Sequence, residues 1–390
     1  MRKMSTHAPI LAHVTGCQKA CKSCHYKNLN YPEQLERKQR WANEQLGQWQ
    51  SVLDDIEPAR LDEQIGYRSK SWLWAITKQQ LSFGMRRAVF INGEWQKEYL
   101  SWDDCPIHST DLRASLAAIK SQLTTQLSPL EIENLVGIWF GAPHVVLVFR
   151  ESTPAALGTV DWASAANQTF TSVWTHENNQ VGRKIFGHKT ITLIYSKPDV
   201  DTQSRAPIRA FRQVAQRLLH SARMSAAEFL LESKPEMILE LYSGCGDFAA
   251  LLPAVINWVG IEMSREACNF ANGDASVARL IHRAFTGAVE QRLNDPELLK
   301  LLNPFSHSLA LYLNPPRSGL SDSAKQKIGE ILENHKIARI AYLSCSASSL
   351  ARDLEFFCGH QFKVETLKPF DFFPQTEHFE TLATLRRFVP

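Results

Sequence analysis

The apolar positions of the chain follow two patterns that change near residue 205. Before it, short strand-like runs separated by turns occur at Leu73–Thr77, Ala88–Ile91, Gly137–Phe140, Val145–Phe149 and Thr190–Tyr195, with a helical period over Leu112–Gln126. This half reads as α+β. The polar stretch Ser196–Pro207, with Pro198 and Pro207 near its ends, suits a boundary. Beyond it a helical pattern covers Arg209–Glu232. Apolar strands at Met237–Leu241, Trp258–Ile261, Leu309–Leu313 and Ile337–Leu343 then alternate with helical segments. Such alternation predicts a parallel sheet wrapped by helices. The runs Phe362–Leu367 and Thr381–Val389 predict a closing, hairpin-like pair on that sheet. The expectation is an α/β chain: a Rossmann-like domain over residues 206–390, preceded by an α+β domain over residues 1–205.

Composition narrows the class without choosing a function. With 390 residues, 44% hydrophobic and 21% charged, the chain can bury two or three ordinary cores. No apolar run is long enough to span a bilayer, and the first residues make a poor secretory signal, so a cytoplasmic protein is expected. The formal net charge of +3 says little about partners. Two local groups say more: Arg205, Arg209, Arg212, Arg217 and Arg223, and Arg68, Lys70, Lys78, Arg86 and Arg87. Either can follow a phosphate backbone, and either can equally be a solvated face.

The segment Glu240-Leu-Tyr-Ser-Gly-Cys-Gly-Asp-Phe follows a predicted strand. Gly244 and Gly246 allow a tight turn and close approach of a ligand, with Tyr242 between the acid and the glycines. One strand later, Gly260-Ile261-Glu262 sets a carboxylate where it can accept ribose hydroxyls. The full dinucleotide fingerprint is missing. An acid, a Gly-x-Gly turn and a second acid at the next strand end form the methyltransferase version of this turn, and point to an adenosine-type cofactor.

Three later segments fall at the same predicted sheet edge: Asn314-Pro-Pro-Arg-Ser-Gly, Tyr342-Leu-Ser-Cys-Ser-Ala, and Phe370-Asp-Phe-Phe-Pro-Gln-Thr-Glu-His-Phe-Glu. They carry Asn314, Cys345 and Glu380. Taken singly, a cysteine at a strand end is more often a small buried hydrophobe. Near the N-terminus, Cys17, Cys21 and Cys24 cluster, and Cys105, before a proline, is the obvious fourth thiolate. Four thiolates suit an iron–sulfur cluster or zinc.

Together these motifs resemble the RNA uracil-C5 methyltransferase family, in its bacterial ribosomal and transfer RNA branches. The resemblance covers essentially the whole chain and is close after residue 205. It implies S-adenosylmethionine as methyl donor, Cys345 as nucleophile and Glu380 as the base that removes the carbon 5 proton. It implies Gln213, Glu240, Tyr242, Gly244, Gly246, Glu262 and Asn314 at the cofactor, with ribosomal or transfer RNA as substrate. It favours a [4Fe–4S] cluster over zinc on Cys17, Cys21, Cys24 and Cys105, and allows an RNA contact at Arg68. No obligate protein partner is expected.

The chemistry agrees with those roles. Carbon 5 of uracil is a weak nucleophile; thiolate addition at carbon 6 makes an enolate that places electron density on carbon 5. A carboxylate within reach then takes the proton, and the thiol leaves. A helix beginning after Cys345 is expected to favour the thiolate. The chain departs from the family pattern at Ser346, Gln375 and Ala215, where Asn, His and Asn are usual, and around His282–Phe285, which lacks the usual acid. Other readings are a cytosine-C5 RNA methyltransferase and an RNA-binding paralogue without activity.

Overall fold

The computed structural model describes residues 9–77, 80–180, 184–198, 207–209, 216–273 and 280–388. It divides into two compact units. One comprises Met1–Tyr31 and Arg60–Ile208, the other Pro32–Ala59 and Arg209–Pro390.

The first unit is built on a seven-stranded sheet of β1 (Lys70–Ile76), β2 (Ser82–Ile91), β3 (Glu94–Ser101), β4 (Leu135–Gly141), β5 (His144–Phe149), β6 (Ser172–Glu177) and β7 (Ile191–Ser196), in the order β3-β2-β1-β4-β5-β6-β7. All neighbours are antiparallel except β5 and β6. Asn92 and Gly93, both at positive φ, turn β2 into β3, as a two-residue Asn-Gly hairpin requires. The helix Thr110–Gln126, capped by the Ser109 hydroxyl, lays Leu112, Leu116, Ile119 and Leu123 on one sheet face. There they meet Leu73, Phe83, Ile138, Phe140, Leu147 and Phe149. The predicted helix matches closely, whereas β3 and β6 carry little apolar alternation and escape prediction.

In the second unit the strands are β8 (Met237–Leu241), β9 (Asn257–Glu262), β10 (His282–Thr286), β11 (Leu309–Leu313), β12 (Arg339–Ser344), β13 (Phe362–Phe370) and β14 (Glu380–Arg387), ordered β10-β9-β8-β11-β12-β14-β13. The first five are parallel, and β14 runs antiparallel to both β12 and β13. Every residue of β8, β11 and β12 is buried. A sheet covered on both faces makes continuous apolar runs of this kind, which is why the sequence displays these strands. The α/β Rossmann-like expectation is borne out. The order reverses at β8, and ligands of such sheets bind beyond the strand ends at that point.

A single cut near residue 205 does not anticipate the contribution of residues 32–59 to this unit. The helix Tyr31–Gln45 supplies Ala42, followed by Leu46 and Ile56, to the core beneath β8, β9 and β13. Residues 53–57 then pair alongside β13 at Leu53–Leu367 and Glu57–Phe370. Lys38 and Asp371 form an ion pair at 2.5 Å with both side chains fully buried, and Lys38 also donates to the Phe373 carbonyl at 3.0 Å. The helix spacing there is masked by charged residues, so the sequence hides it. Among the described residues no helix is long and apolar enough to cross a membrane.

Removing one partner of a fully buried ion pair strands the other charge, at about 3–5 kcal/mol. Lys38→Met is therefore expected to lower the unfolding free energy of the chain by that amount, and with it the urea midpoint. Lys38→Met combined with Asp371→Leu is expected to recover most of the loss, both read by chemical denaturation.

Candidate active site

The sheet register brings the two proposed catalytic residues together. Antiparallel pairing of β12 and β14 ends at Ser344–Thr381, so the next residues along the two strands are Cys345 and Glu380. Glu380 is 2% exposed. Burial of Cys345 and then the Glu380 charge push its thiol up, while a hydrogen bond from Arg317 and that residue's positive charge pull it down. The net direction is upward. The helix Ala347–Gly359 does begin just after Cys345, but burial outweighs any help from its N-terminus.

Arg317 is the functional residue that reading the sequence left without a role. It lies in the Asn314-Pro-Pro-Arg loop, and that loop is tied to the helix following the cysteine. Ser349 Oγ donates to the Arg317 carbonyl at 3.0 Å, and Arg352 donates to the Ser318 carbonyl at 3.0 Å. Asp353, fully buried, accepts from Leu320 N–H at 2.9 Å and from Tyr342 Oη at 2.6 Å, and pairs with Lys325. Gly319, at φ +77°, leaves the space for that carboxylate: a Cβ there would lie 2.5 Å from Asp353 Oδ2. At the start of the loop, Asn314 N–H donates to the Leu241 carbonyl, pinning the loop to the end of β8.

Two departures from the family pattern have local explanations. Ser346 is the N-cap of the helix, its hydroxyl accepting from Ser349 N–H. Serine and asparagine cap helices equally well. Gln375 is buried and pairs reciprocally with Gln34: the Gln34 amide donates to Gln375 Oε1 at 3.0 Å, and Gln375 N–H donates to Gln34 Oε1 at 2.8 Å.

Beyond β8 the Glu240–Phe248 turn takes a strained course, with Tyr242, Gly244 and Gly246 all at positive φ. Nothing lies within 4 Å of where a Gly244 Cβ would be. A cavity of about 520 Å³ opens over these strand ends, lined by Tyr242, Glu262, Gly287, Glu290 and Pro316, among others. Glu262 accepts from Gly244 N–H at 3.0 Å and from Ser264 N–H at 2.8 Å, which locks the second acid onto the glycine turn. Glu240 is placed differently: it is buried, accepts from the Trp258 indole at 2.7 Å, and burial raises it to about 8. It braces the turn from inside the sheet and does not line the cavity. Glu290 supplies a carboxylate to the cavity from just beyond β10, a little later in the chain than the usual acid. Gln213 and Ala215 lie outside the described residues.

In the other unit, Cys17, Cys21 and Cys105 lie close enough to Cys24 that each raises its thiol. Cys24, the most affected, is pushed to about 12 by burial and by the other three. No three of these sulfurs lie within 4.8 Å of one another. Gly16, at φ +89°, allows the two loops to meet, since a Cβ there would lie 2.0 Å from the Asp104 carbonyl oxygen. Lys27 holds the first loop by donating to the Gln18, Lys19 and Cys21 carbonyls. Of the two basic groups, several members are tied up internally: Arg209 pairs with Glu266, Arg223 with Asp247 and Arg87 with Glu98. Arg205, Arg212 and Lys78 lie outside the described residues.

The sequence profile of the family described as tRNA (Uracil-5-)-methyltransferase matches residues 191–388, the stretch holding every element of this site. The chain belongs to this family. Among relatives of the uracil-C5 methyltransferases, a 23S rRNA (uracil(1939)-C(5))-methyltransferase RlmD of Marinomonas sp. (strain MWYL1) is 26% identical over 94% of this chain and 79% of its own. The protein of the same name from Pseudomonas syringae pv. tomato is 25% identical over 93% and 77%. A crystal structure of Pyrococcus abyssi tRNA (uracil-54, C5)-methyltransferase, in complex with S-adenosyl-L-homocysteine, superposes with a TM-score of 0.66 at 19% identity, covering 94% of this chain and 84% of that one. The resemblance read from the motifs is thereby borne out.

Replacing Arg317 by Met removes the hydrogen bond and the positive charge by which that residue lowers the Cys345 thiol. Because only the thiolate reacts, the pH profile of Cys345 alkylation by iodoacetamide is expected to move to higher pH in Arg317→Met, and less far in Arg317→Lys. Mass spectrometry of the Cys345 peptide measures it.

Proposed function

We propose that this uracil-C5 methyltransferase moves the methyl group of S-adenosylmethionine to carbon 5 of a uridine in ribosomal or transfer RNA, through a covalent adduct with Cys345. The observation that carries this reading is the adjacency of Cys345, Arg317 and Glu380 at one end of the β12–β14 pair. S-adenosylmethionine, bound, supplies an electrophilic methyl group on a sulfonium. The cavity suits it: Glu262 and Tyr242 line it and would hold the ribose and the adenine side, and the bare Gly244 turn would let the ligand approach the backbone. Gln213, Gly246 and Asn314 complete the set we assign to it, with Glu240 acting from within the sheet.

Cys345 adds to carbon 6 of the flipped-out uracil as thiolate, the form that Arg317 favours. The guanidinium hydrogen bond and charge offset part of the burial penalty on that thiolate. After methyl transfer Glu380, the nearest carboxylate, takes the carbon 5 proton, and the carbon–sulfur bond breaks to regenerate the thiol. The RNA substrate makes the protein cytoplasmic in this reading.

We assign Cys17, Cys21, Cys24 and Cys105 to a [4Fe–4S] cluster. Four thiolates are the donor set of such a cluster, and the resemblance of the motifs favours iron over zinc. The cluster would cross-link the two cysteine loops; methyl transfer needs no electrons from it.

Nucleoside mass spectrometry of RNA from cells with and without the gene tests the reading: one 5-methyluridine is expected to disappear. An unchanged profile would sink it. With purified chain, Cys345→Ala is expected to form no product. Glu380→Gln is expected to accumulate an RNA–protein adduct resistant to denaturant, with turnover lowered at least about a hundredfold, the usual worth of a general base.

A further inference from the structure

The sheet of the Met1–Tyr31 and Arg60–Ile208 unit has two unlike faces. One is closed by the helix Thr110–Gln126. On the other, the register places a stripe of aromatic and cationic side chains across β3, β2 and β1. Directly opposed residues share a face. The pairs Phe90–Trp95, Ala88–Lys97 and Arg86–Tyr99 therefore lie on one side, and Trp74, opposite Gly84, continues the stripe. Arg86 stacks over Trp74 at 3.7 Å from the ring centroid. Phe90 and Trp95 meet at 5.3 Å between centroids at the tip, yet remain 61% and 74% exposed.

Charge is sorted between the faces. Glu94 and Glu98 of β3 both lie on the opposite side, where Glu98 pairs with Arg87. The aromatic side carries Arg86 and Lys97 with no acid of β2 or β3. A hairpin stabilised merely by an aromatic cross-strand pair needs no such segregation. The pairing continues without a break from Gly84–Ser101 to Ile91–Glu94 and closes in the Asn92-Gly93 turn, so the platform is stiff.

We propose that this stripe binds a single-stranded segment of the RNA substrate, stacking bases on Phe90 and Trp95 while Arg86 and Lys97 meet the phosphates. A neutral π-face beside cations suits a flexible polyanion carrying flat bases, and is poorly matched to an acidic peptide that lacks rings. The proposal rests on the RNA methyltransferase reading and adds where the RNA is held.

The test uses the full chain and deproteinised RNA from cells lacking the gene, by filter binding and by methylation. Phe90→Ser/Trp95→Ser is expected to weaken RNA binding at least about tenfold, since each stacked base is worth about 1–3 kcal/mol. KM for RNA is expected to rise in step, with kcat at saturating RNA and the Kd for S-adenosylmethionine unchanged. Phe90→Tyr/Trp95→Tyr is expected to restore binding, and Phe90→Leu/Trp95→Leu is not. Arg86→Gln/Lys97→Gln is expected to flatten the slope of log affinity against log salt by about 1.4, at roughly 0.7 per charge on single strands. A serine variant that binds as tightly as the parent while the parent methylates would overturn the platform and leave the methyltransferase reading standing. A parent that neither binds nor methylates this RNA would overturn both. Self-association lost in the serine variant with RNA affinity intact, by sedimentation, would assign the tip to a second copy of the chain and overturn the proposal.

Discussion

The antiparallel register between β12 and β14 is the constraint on which the site depends. A one-residue slip in strand pairing would send every side chain to the wrong face. Here the pairs from Arg339–Arg386 to Ser344–Thr381 are held by buried residues on both strands. The thiol and the carboxylate therefore need no loop to find each other. They come from segments 35 residues apart in sequence, Cys345 and Glu380, and sit at the common end of one ladder.

Electrostatics at that end is a balance between two large opposing effects. Burial and the Glu380 charge push the Cys345 thiol up, and Arg317 works against them. The cost of ordering Arg317 is spread over its loop's anchors, chiefly Asp353, whose carboxylate collects Tyr342, Leu320 N–H and Lys325. Two hydrogen bonds fall on one oxygen of this buried carboxylate and a cation meets the other, and such a network rigidifies what it touches.

Much of the second unit could be read from the chain because doubly covered parallel strands write themselves as apolar runs: Met237–Leu241 and Leu309–Leu313 appear in the structure with the same bounds. The site motifs were visible for a related reason, since each follows such a strand. What stayed hidden was long-range. Nothing local marks Lys38 as a core residue, because its meaning comes from Asp371. Arg317 reads as part of a rigid loop until the cysteine is placed beside it. Glu240 reads as a ligand contact because its position in the motif is right, but the direction of its carboxylate is decided by Trp258. The departures at Ser346 and Gln375 have no visible purpose in the sequence, and the structure gives each a local partner: the helix cap and the Gln34 pair.

The helix carrying Lys38 has a temporal consequence. The buried partner of Lys38 lies 333 residues further along. At about 5–20 residues per second, the ribosome takes roughly 17–67 s to deliver Asp371 after Lys38 has been made. Through that interval Lys38 lacks the carboxylate that it meets in the folded unit, and a chain released before residue 371 carries that early lysine without its partner.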